Sequence, residues 1–390
     1  MTPTLFRSRQ TGFSLIEIMV GLVIGMVGVI ILSQVMLQSE DTKRNTTSGD
    51  DAQINASIAL SSLERDIRMS GFGLNSYNLL GCAWTFTPSN ESSALTNALA
   101  IAPVVINPST SLVPAGDANT DTLLVMYGTG NSPAEGDAVV AASSSTSYKV
   151  TTPTSFTTGD KTIALALPRT TDCAVSTDRV TNVPSDGTIS VATGLSGIKT
   201  GDIVYNLGAQ PIVRAYAIRN GNLTVCDYTA YNCGKSSYVS TLNSSVWVPV
   251  GSNIVSLRAQ YGHDGKAGTM AGIVTTFNQT TPVVDSAPSC VWARVLSVRL
   301  AVVGRGSHYD GEKTDSGDLK TVTSEAPKWA ASDTETAEGA PTNPTALAIN
   351  LSSLDSWQQY RYKTVETAVP LRNMLWQGGQ PSYQGGESGC

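Results

Sequence analysis

An α+β fold is predicted by three features of the sequence: a long helical stretch at the N-terminus, a change to short β-rich runs from about residue 74, and two late segments of strict apolar–polar alternation. One long helix followed by antiparallel strands gives a layout in which the helix covers a sheet. Between Ile18 and Leu37 the strongly polar side chains are Ser33 and Gln34. About twenty residues, rising about 1.5 Å each, match a hydrocarbon core about 30 Å thick. Arg7 and Arg9 precede the run with no acidic residue before Glu17, so the positive-inside rule keeps the short N-terminus in the cytoplasm and sends the chain after Leu37 outward. The following QSEDTKRNTTSGDD lacks the small-residue cleavage pattern of a secretory signal, and the segment is expected to stay attached. Glu17 is the anomaly, because a carboxylate in hydrocarbon costs several kcal/mol unless something pairs with it.

After this polar stretch, DAQINASIALSSLERDIRMSGFG regains a helical period. Ile54, Ile58, Leu63 and Ile67 are expected to form one apolar stripe against a globular head, with NTTSGDD as a weak or irregular joint and Gly71 and Gly73 as the stop. Glu64, Arg65, Asp66 and Arg68 read as a solvated or subunit-facing surface. Gly21 and Gly25 have the small-xxx-small spacing that permits close helix approach.

The β-rich runs begin with DTLLVMYG, DAVVAA, KTIALAL, GDIVYNL and PIVRAYAI. Three of the strands start just after a Gly-Asp pair (Gly136-Asp137, Gly159-Asp160, Gly201-Asp202), which reads as turn chemistry, and no longer repeat is visible. Val255, Leu257, Ala259 and Tyr261 alternate with Ser256, Arg258 and Gln260, and Leu296, Val298, Leu300 and Val302 with Ser297, Arg299 and Ala301, predicting two half-buried strands. In KTVETAVPLRN, Val365, Thr367, Val369 and Leu371 share a face, and Pro370 favours an edge or a bulge. From Gly304 to Ala346 few apolar residues occur and no period is visible, which marks a partner-contacting loop or flexible decoration. The tail from residue 378 to 390 is Gly-rich and ends in Cys390.

With 390 residues and 41% hydrophobic content the chain can bury a sizeable core, while 14% charged residues and a net charge of −6 suit an exported surface protein better than a nucleic-acid binder. His263 and His308 lie in the Gly-bounded turns QYGHDG and GSHYDG, without metal or triad spacing. No nucleophile elbow, phosphate loop or metalloprotease motif is present, so no catalytic residue and no cofactor are expected. Asp310, Glu312, Asp315 and Asp318 are weak calcium candidates, since DGEKTDSGD fails the EF-hand order, and no metal site is expected. The six tryptophans are scattered, which argues for core and interface packing over a sugar platform.

RQTGFSLIEIMV resembles the class III prepilin signal of type IV pilins and type II secretion pseudopilins, with Gly12, Phe13 and Glu17 at the matching positions. The late strands, from VPVGSNIVSLRAQYG through WARVLSVRLAVVG to YRYKTVETAVPLRN, resemble those of PilW-type minor pilins. The resemblance implies a pilin-like fold: a leader at 1–12, a transmembrane and filament-core helix at 13–37, its amphipathic second half at 38–73, and a β-rich head at 74–390 enlarged by a β insertion. It also implies that a prepilin peptidase cuts after Gly12 and N-methylates Phe13, and that Glu17 neutralises the terminal amine of a neighbouring subunit. Losing Arg7 and Arg9 takes the basic side chains from 25 to 23 against 31 acidic ones, a formal charge of −8. The implied function is that of a minor pilin that primes or caps a type IV pilus. Its partners would be other minor pilins, the major pilin, the peptidase and the inner-membrane assembly platform, with no nucleic acid. Its place would be the bacterial inner membrane with the head in the periplasm, then the pilus, at its tip. A type II secretion minor pseudopilin, or a membrane-anchored adhesin or binding protein, is the alternative.

Export puts the six cysteines in an oxidising compartment. Cys226 and Cys233 flank the short loop DYTAYN and are expected to join. The other four allow three connectivities. The favoured one joins Cys82 with Cys173, both in the early β region, and Cys290 with Cys390, pinning the tail.

Overall fold

The structure is a computed structural model that describes residues 12–131, 133, 135–169, 173–240, 243–266, 270–283, 290–314, 316–334 and 341–378. Its first element is a single helix, Leu15–Met69, of 55 residues. The joint expected at NTTSGDD is absent: the helix runs straight through it. The hydroxyls of Thr42 and Thr46 donate to the carbonyls of Gln38 and Thr42, four residues back, which keeps these poor helix formers inside the ladder. Packing on the head then supplies what propensity lacks, because Ser48 is buried and its hydroxyl accepts from the His308 amide.

Two antiparallel sheets lie under the second half of the helix. The first has the strand order Val248–Ser252, Asn222–Asp227, Ile212–Arg219, Leu123–Tyr127, Val104–Ile106. The second has the order Thr276–Asn278, Ile254–His263, Val295–Arg305, Tyr362–Pro370. One core joins them to the helix, with Leu63 and Ile67 packed among Val125, Tyr216, Leu257, Leu300 and Val369. The fold is therefore α+β, a long helix on an antiparallel β head. Pro370 closes the edge strand of the second sheet, where a missing N–H leaves no ladder partner unsatisfied.

The helix uses half of the expected stripe, burying Leu63 and Ile67 but not the two isoleucines before them. Ile54 and Ile58 are 57% and 55% exposed, and the docked face is Ala52, Ala56, Ala59, Leu60, Leu63 and Ile67. Small side chains let the helix backbone come down onto the sheet. A Cβ on Gly304 would lie 2.1 Å from the Ala52 carbonyl oxygen, and one on Gly306 would lie 2.1 Å from Ser48 Oγ.

The two late strands are buried on both faces, against the expectation of half-burial. The register shifts between Ile254 and Ser256, so the bulge turns Val255 away from Leu257, Ala259 and Tyr261. Val255 then packs with Ala301 and Val303 against Trp329, Ala331, Ile349 and Leu351. The segment read as a partner loop or decoration thus covers the second sheet, and Gly304 belongs to the strand before it. Trp329 secures the cover by donating from Nε1 to the Leu347 carbonyl at 2.6 Å.

The third unit is a closed barrel of six strands, in the order Thr188–Val191, Ser147–Val150, Asp137–Ser144, Ile203–Gly208, Lys161–Leu165, Asp178–Asn182. It is inserted between Leu123–Tyr127 and Ile212–Arg219, which are direct neighbours in the first sheet. The barrel holds a repeat that the sequence reading missed, in which residues 178–208 reuse the arrangement of residues 137–165. Asp137 and Asp178 accept from the Thr152 and Thr193 amides at 3.0 and 3.1 Å. Asp160 and Asp202 accept from the Thr157 and Lys199 amides, both at 2.8 Å. Gly159 and Gly201, at φ of 104° and 96°, donate to the carbonyls of Val180 and Val139. The barrel core pairs off in the same way, Val139 with Val180, Tyr148 with Ile189, Val150 with Val191 and Phe156 with Ile198.

Candidate functional site

The N-terminal end of the helix is built around Ser14. Its backbone is extended, and its carbonyl accepts from the Glu17 and Ile18 amides at 3.0 and 3.2 Å, which sets the first turn. Glu17 lies in that turn, where the positive end of the helix dipole favours a carboxylate. Phe13 stands four residues before it and is 79% exposed. Among the described residues Glu17 forms no ion pair. Every large apolar side chain from Leu15 to Leu37 is exposed, and a Cβ on Gly12, Gly21, Gly25 or Gly28 would meet nothing within 4 Å. The helix is long and apolar enough to cross a membrane, by length and composition. Its first half is thus an apolar surface that the head leaves uncovered, with one carboxylate near its free end.

The second half is locked to the head by Asp66, which the sequence reading left on the surface. Its side chain is 4% exposed. It accepts from Tyr127 Oη at 3.0 Å, from Tyr216 Oη at 2.5 Å and from Arg214 Nη1 at 2.9 Å. Burial first, and the Asp66 charge and hydrogen bond with it, push the Tyr127 phenol up to about 12 and the Tyr216 phenol higher still. Burial opposes the Arg214 charge, but the Asp66 hydrogen bond and charge raise its pKa above the ordinary arginine value. Glu64 and Arg68 pair on the exposed face four residues apart, as a solvated surface would. The RN ending of the last strand segment ties off the other end of the helix. Asn373 Nδ2 donates to the Met69 and Ser70 carbonyls at 3.1 and 2.9 Å, and its own carbonyl accepts from Asn75 Nδ2 at 2.8 Å.

The structure joins Cys82 to Cys173 and Cys226 to Cys233. The first bridge ties the barrel's Ala174–Ser176 extension to the Ala83–Thr85 strand, with which it pairs in parallel. The pairing of Cys290 with Cys390 lies outside the described residues. Among the described residues the acidic set forms no group that could hold a metal ion. Glu312 pairs with Lys320, Asp318 accepts from Ser316 Oγ, Asp310 accepts from the Glu312 amide, and Asp315 lies outside the described residues. His263 is not in a surface turn: it ends the Ile254–His263 strand, edge-on to Tyr261, and burial holds its pKa below the ordinary value. Trp84, Trp247, Trp292 and Trp329 are buried.

The family described as Type IV Pilus-assembly protein W has a model that matches residues 216–373, and a prokaryotic N-terminal methylation motif matches residues 7–33. The first match begins within the Ile212–Arg219 strand and runs to Asn373 of the helix clasp, leaving out the barrel. Comparison with curated proteins gave no match. Among solved structures, a type IV-like pilin from Thermus thermophilus is similar at 11% identity and a TM-score of 0.33, covering 83% of this chain and 97% of that one. The chain is thus similar to a prokaryotic methylation motif at the start of its helix and to Type IV Pilus-assembly protein W through the part of its head outside the barrel.

Proposed function

We propose that this chain is a minor pilin that associates with other minor pilins to prime or cap a type IV pilus, without catalysis of its own. The observation that carries the reading is the uncovered apolar half of the helix, whose one carboxylate, Glu17, has no ion-pair partner among the described residues. Cleavage between Gly12 and Phe13 creates an amine at the free end of that surface. A neighbouring subunit's amine then neutralises Glu17 as the two helices pack, and the pair is stable because each removes the other's uncompensated charge from an apolar bundle. The partners are the peptidase, the inner-membrane platform, the other minor pilins and the major pilin. Before assembly the chain is anchored in the inner membrane with its head in the periplasm.

The head supports an end position. It joins two sheets, a cover segment and a six-stranded barrel in one head, and such bulk crowds a lattice in which every shaft subunit repeats the same contact. At a tip the same bulk is harmless. Quantitative mass spectrometry of sheared filaments tests the reading. It predicts an N-terminal peptide that begins at a methylated Phe13, in amounts far below those of the main pilin. Equal abundance with the main pilin, or an intact Met1 on the filament-borne chain, contradicts it.

A further inference from the structure

The barrel meets the first sheet across a cleft of about 670 Å³. One wall is formed by Lys161, Thr177, Arg179 and Thr193 of the barrel, and the other by Phe86 and Ser89 of the head. We propose that this cleft binds an acidic oligosaccharide, held by Lys161 and Arg179.

Lys161 and Arg179 stand directly opposite one another in an antiparallel pair, where like charges destabilise a sheet. Among the described residues neither forms an ion pair. The barrel's own repeat shows that the fold does not require them. In the other half the equivalent pair is Ile203 opposite Ala138, an apolar contact at the same step of the same two strands. The repeat thus keeps the buried valines, the Gly-Asp turns and the Asp137 and Asp178 caps, and among its differences the apolar Ile203–Ala138 pair is replaced at the cleft by two cations.

Two carboxylates also line the cleft, and both are already engaged. Asp178 accepts from the amides of Arg179, Ala192, Thr193 and Gly194, the capping role that Asp137 fills in the other half. Asp227 accepts from the Thr229 amide and hydroxyl at 2.8 and 2.6 Å. Their oxygens are occupied by backbone and hydroxyl donors, while Lys161 and Arg179, cross-strand neighbours, both line the cleft without an ion-pair partner among the described residues. Two neighbouring cations suit a single carboxylate or sulfate group. The remaining lining alternates hydroxyls and an amide (Thr87, Ser89, Gln210) with an apolar wall (Phe86, Pro211), which matches the polar rim and C–H faces of a sugar.

The test is a binding titration of the full chain in neutral detergent with an oligogalacturonate, its methyl ester as the uncharged counterpart, and inorganic phosphate at equal ionic strength. The acidic oligomer should bind, weaken with added salt, and lose at least tenfold in affinity with Lys161→Gln plus Arg179→Gln, while the ester binds at least tenfold more weakly. Lys149→Gln plus Lys199→Gln, an equal charge change at two exposed barrel positions outside the cleft lining, should bind as the unaltered chain does. The thermal midpoint of the double variant should be unchanged or higher, since a like-charge contact is removed. If the acidic oligomer does not bind, if the double variant binds it equally well, or if phosphate binds as tightly as the oligomer, the proposal is overturned. The filament reading is untouched by any of these results, because the measurement needs no partner subunit.

Discussion

From Leu15 to Leu37 the helix carries isoleucine, leucine, valine and methionine, and all of them stand exposed, whereas from Ser48 to Met69 the side chains buried on the head begin with Ser48, Ala52, Ala56 and Ala59, and Leu60, Leu63, Asp66 and Ile67 follow toward the end. The two halves of one helix thus spend their apolar surface differently. Each large apolar side chain is worth about 1.5–3 kcal/mol on burial, so the first half represents tens of kcal/mol that the chain's own head does not collect. The docked half gains less per residue, but it gains closeness: a backbone resting on Gly304 and Gly306, then a buried Asp66 fixed by two tyrosines and an arginine. Small residues and a buried charge hold a helix to its own head in one position, while large uncovered ones suit a membrane or other helices.

The sharpest way to break the docked half is Gly304→Val. With the Ala52 carbonyl 2.1 Å from the new Cβ, backbone must move against backbone, and the head should lose about 3 kcal/mol, read as a lower denaturant midpoint. Asp66→Ala is next. It strands two buried phenols and a half-buried guanidinium, and about 2–3 kcal/mol should be lost. The same anchor predicts alkaline behaviour. The Tyr127 phenol is raised in the folded state to about 12, so its contribution is complete below pH 10 and lost as pH climbs from 10 toward 12, by at most about 1.4 kcal/mol per pH unit. Tyr127→Phe should therefore flatten the stability profile over that interval, and an unchanged slope would remove the phenol from the account.

The smallest effect sharpens the contrast from the other side. Ile54→Ser with Ile58→Ser should alter head stability by less than about 0.5 kcal/mol, because both side chains already face away from the sheet. A loss above about 2 kcal/mol would mean that Ile54 and Ile58 do touch the head after all.

Those two isoleucines show where sequence patterning fails. Isoleucine carries a strong apolar signal and alanine a weak one, so a periodicity search selects the face with Ile54 and Ile58, although close approach to glycine selects Ala52 and Ala56. Asp66 was invisible for a related reason. Among Glu64, Arg65 and Arg68 a carboxylate reads as surface, and only the fold brings Tyr127, Tyr216 and Arg214 to it. Val255 was assigned to the wrong face because a bulge shifts the alternation by one residue, which no local pattern announces. The barrel repeat kept its Gly-Asp turns and buried valines but little else, too few identities to register as a repeat. By contrast, the edge position of Pro370 was legible because proline's missing N–H restricts it whatever the tertiary context. The Gly12, Phe13 and Glu17 pattern was equally local, being a short motif at the end of an apolar run.

The central claim is that the uncovered half of the helix works through Glu17 in assembly. It is tested most directly by comparing Glu17→Ala with the unaltered chain, both in membranes and in sheared filaments of the same cells. The account predicts that the variant is inserted and cleaved after Gly12 as efficiently as the parent, yet is depleted at least tenfold from the filament fraction, because the amine of the adjacent subunit has lost its counter-charge. Equal recovery of variant and parent in the filaments would contradict it.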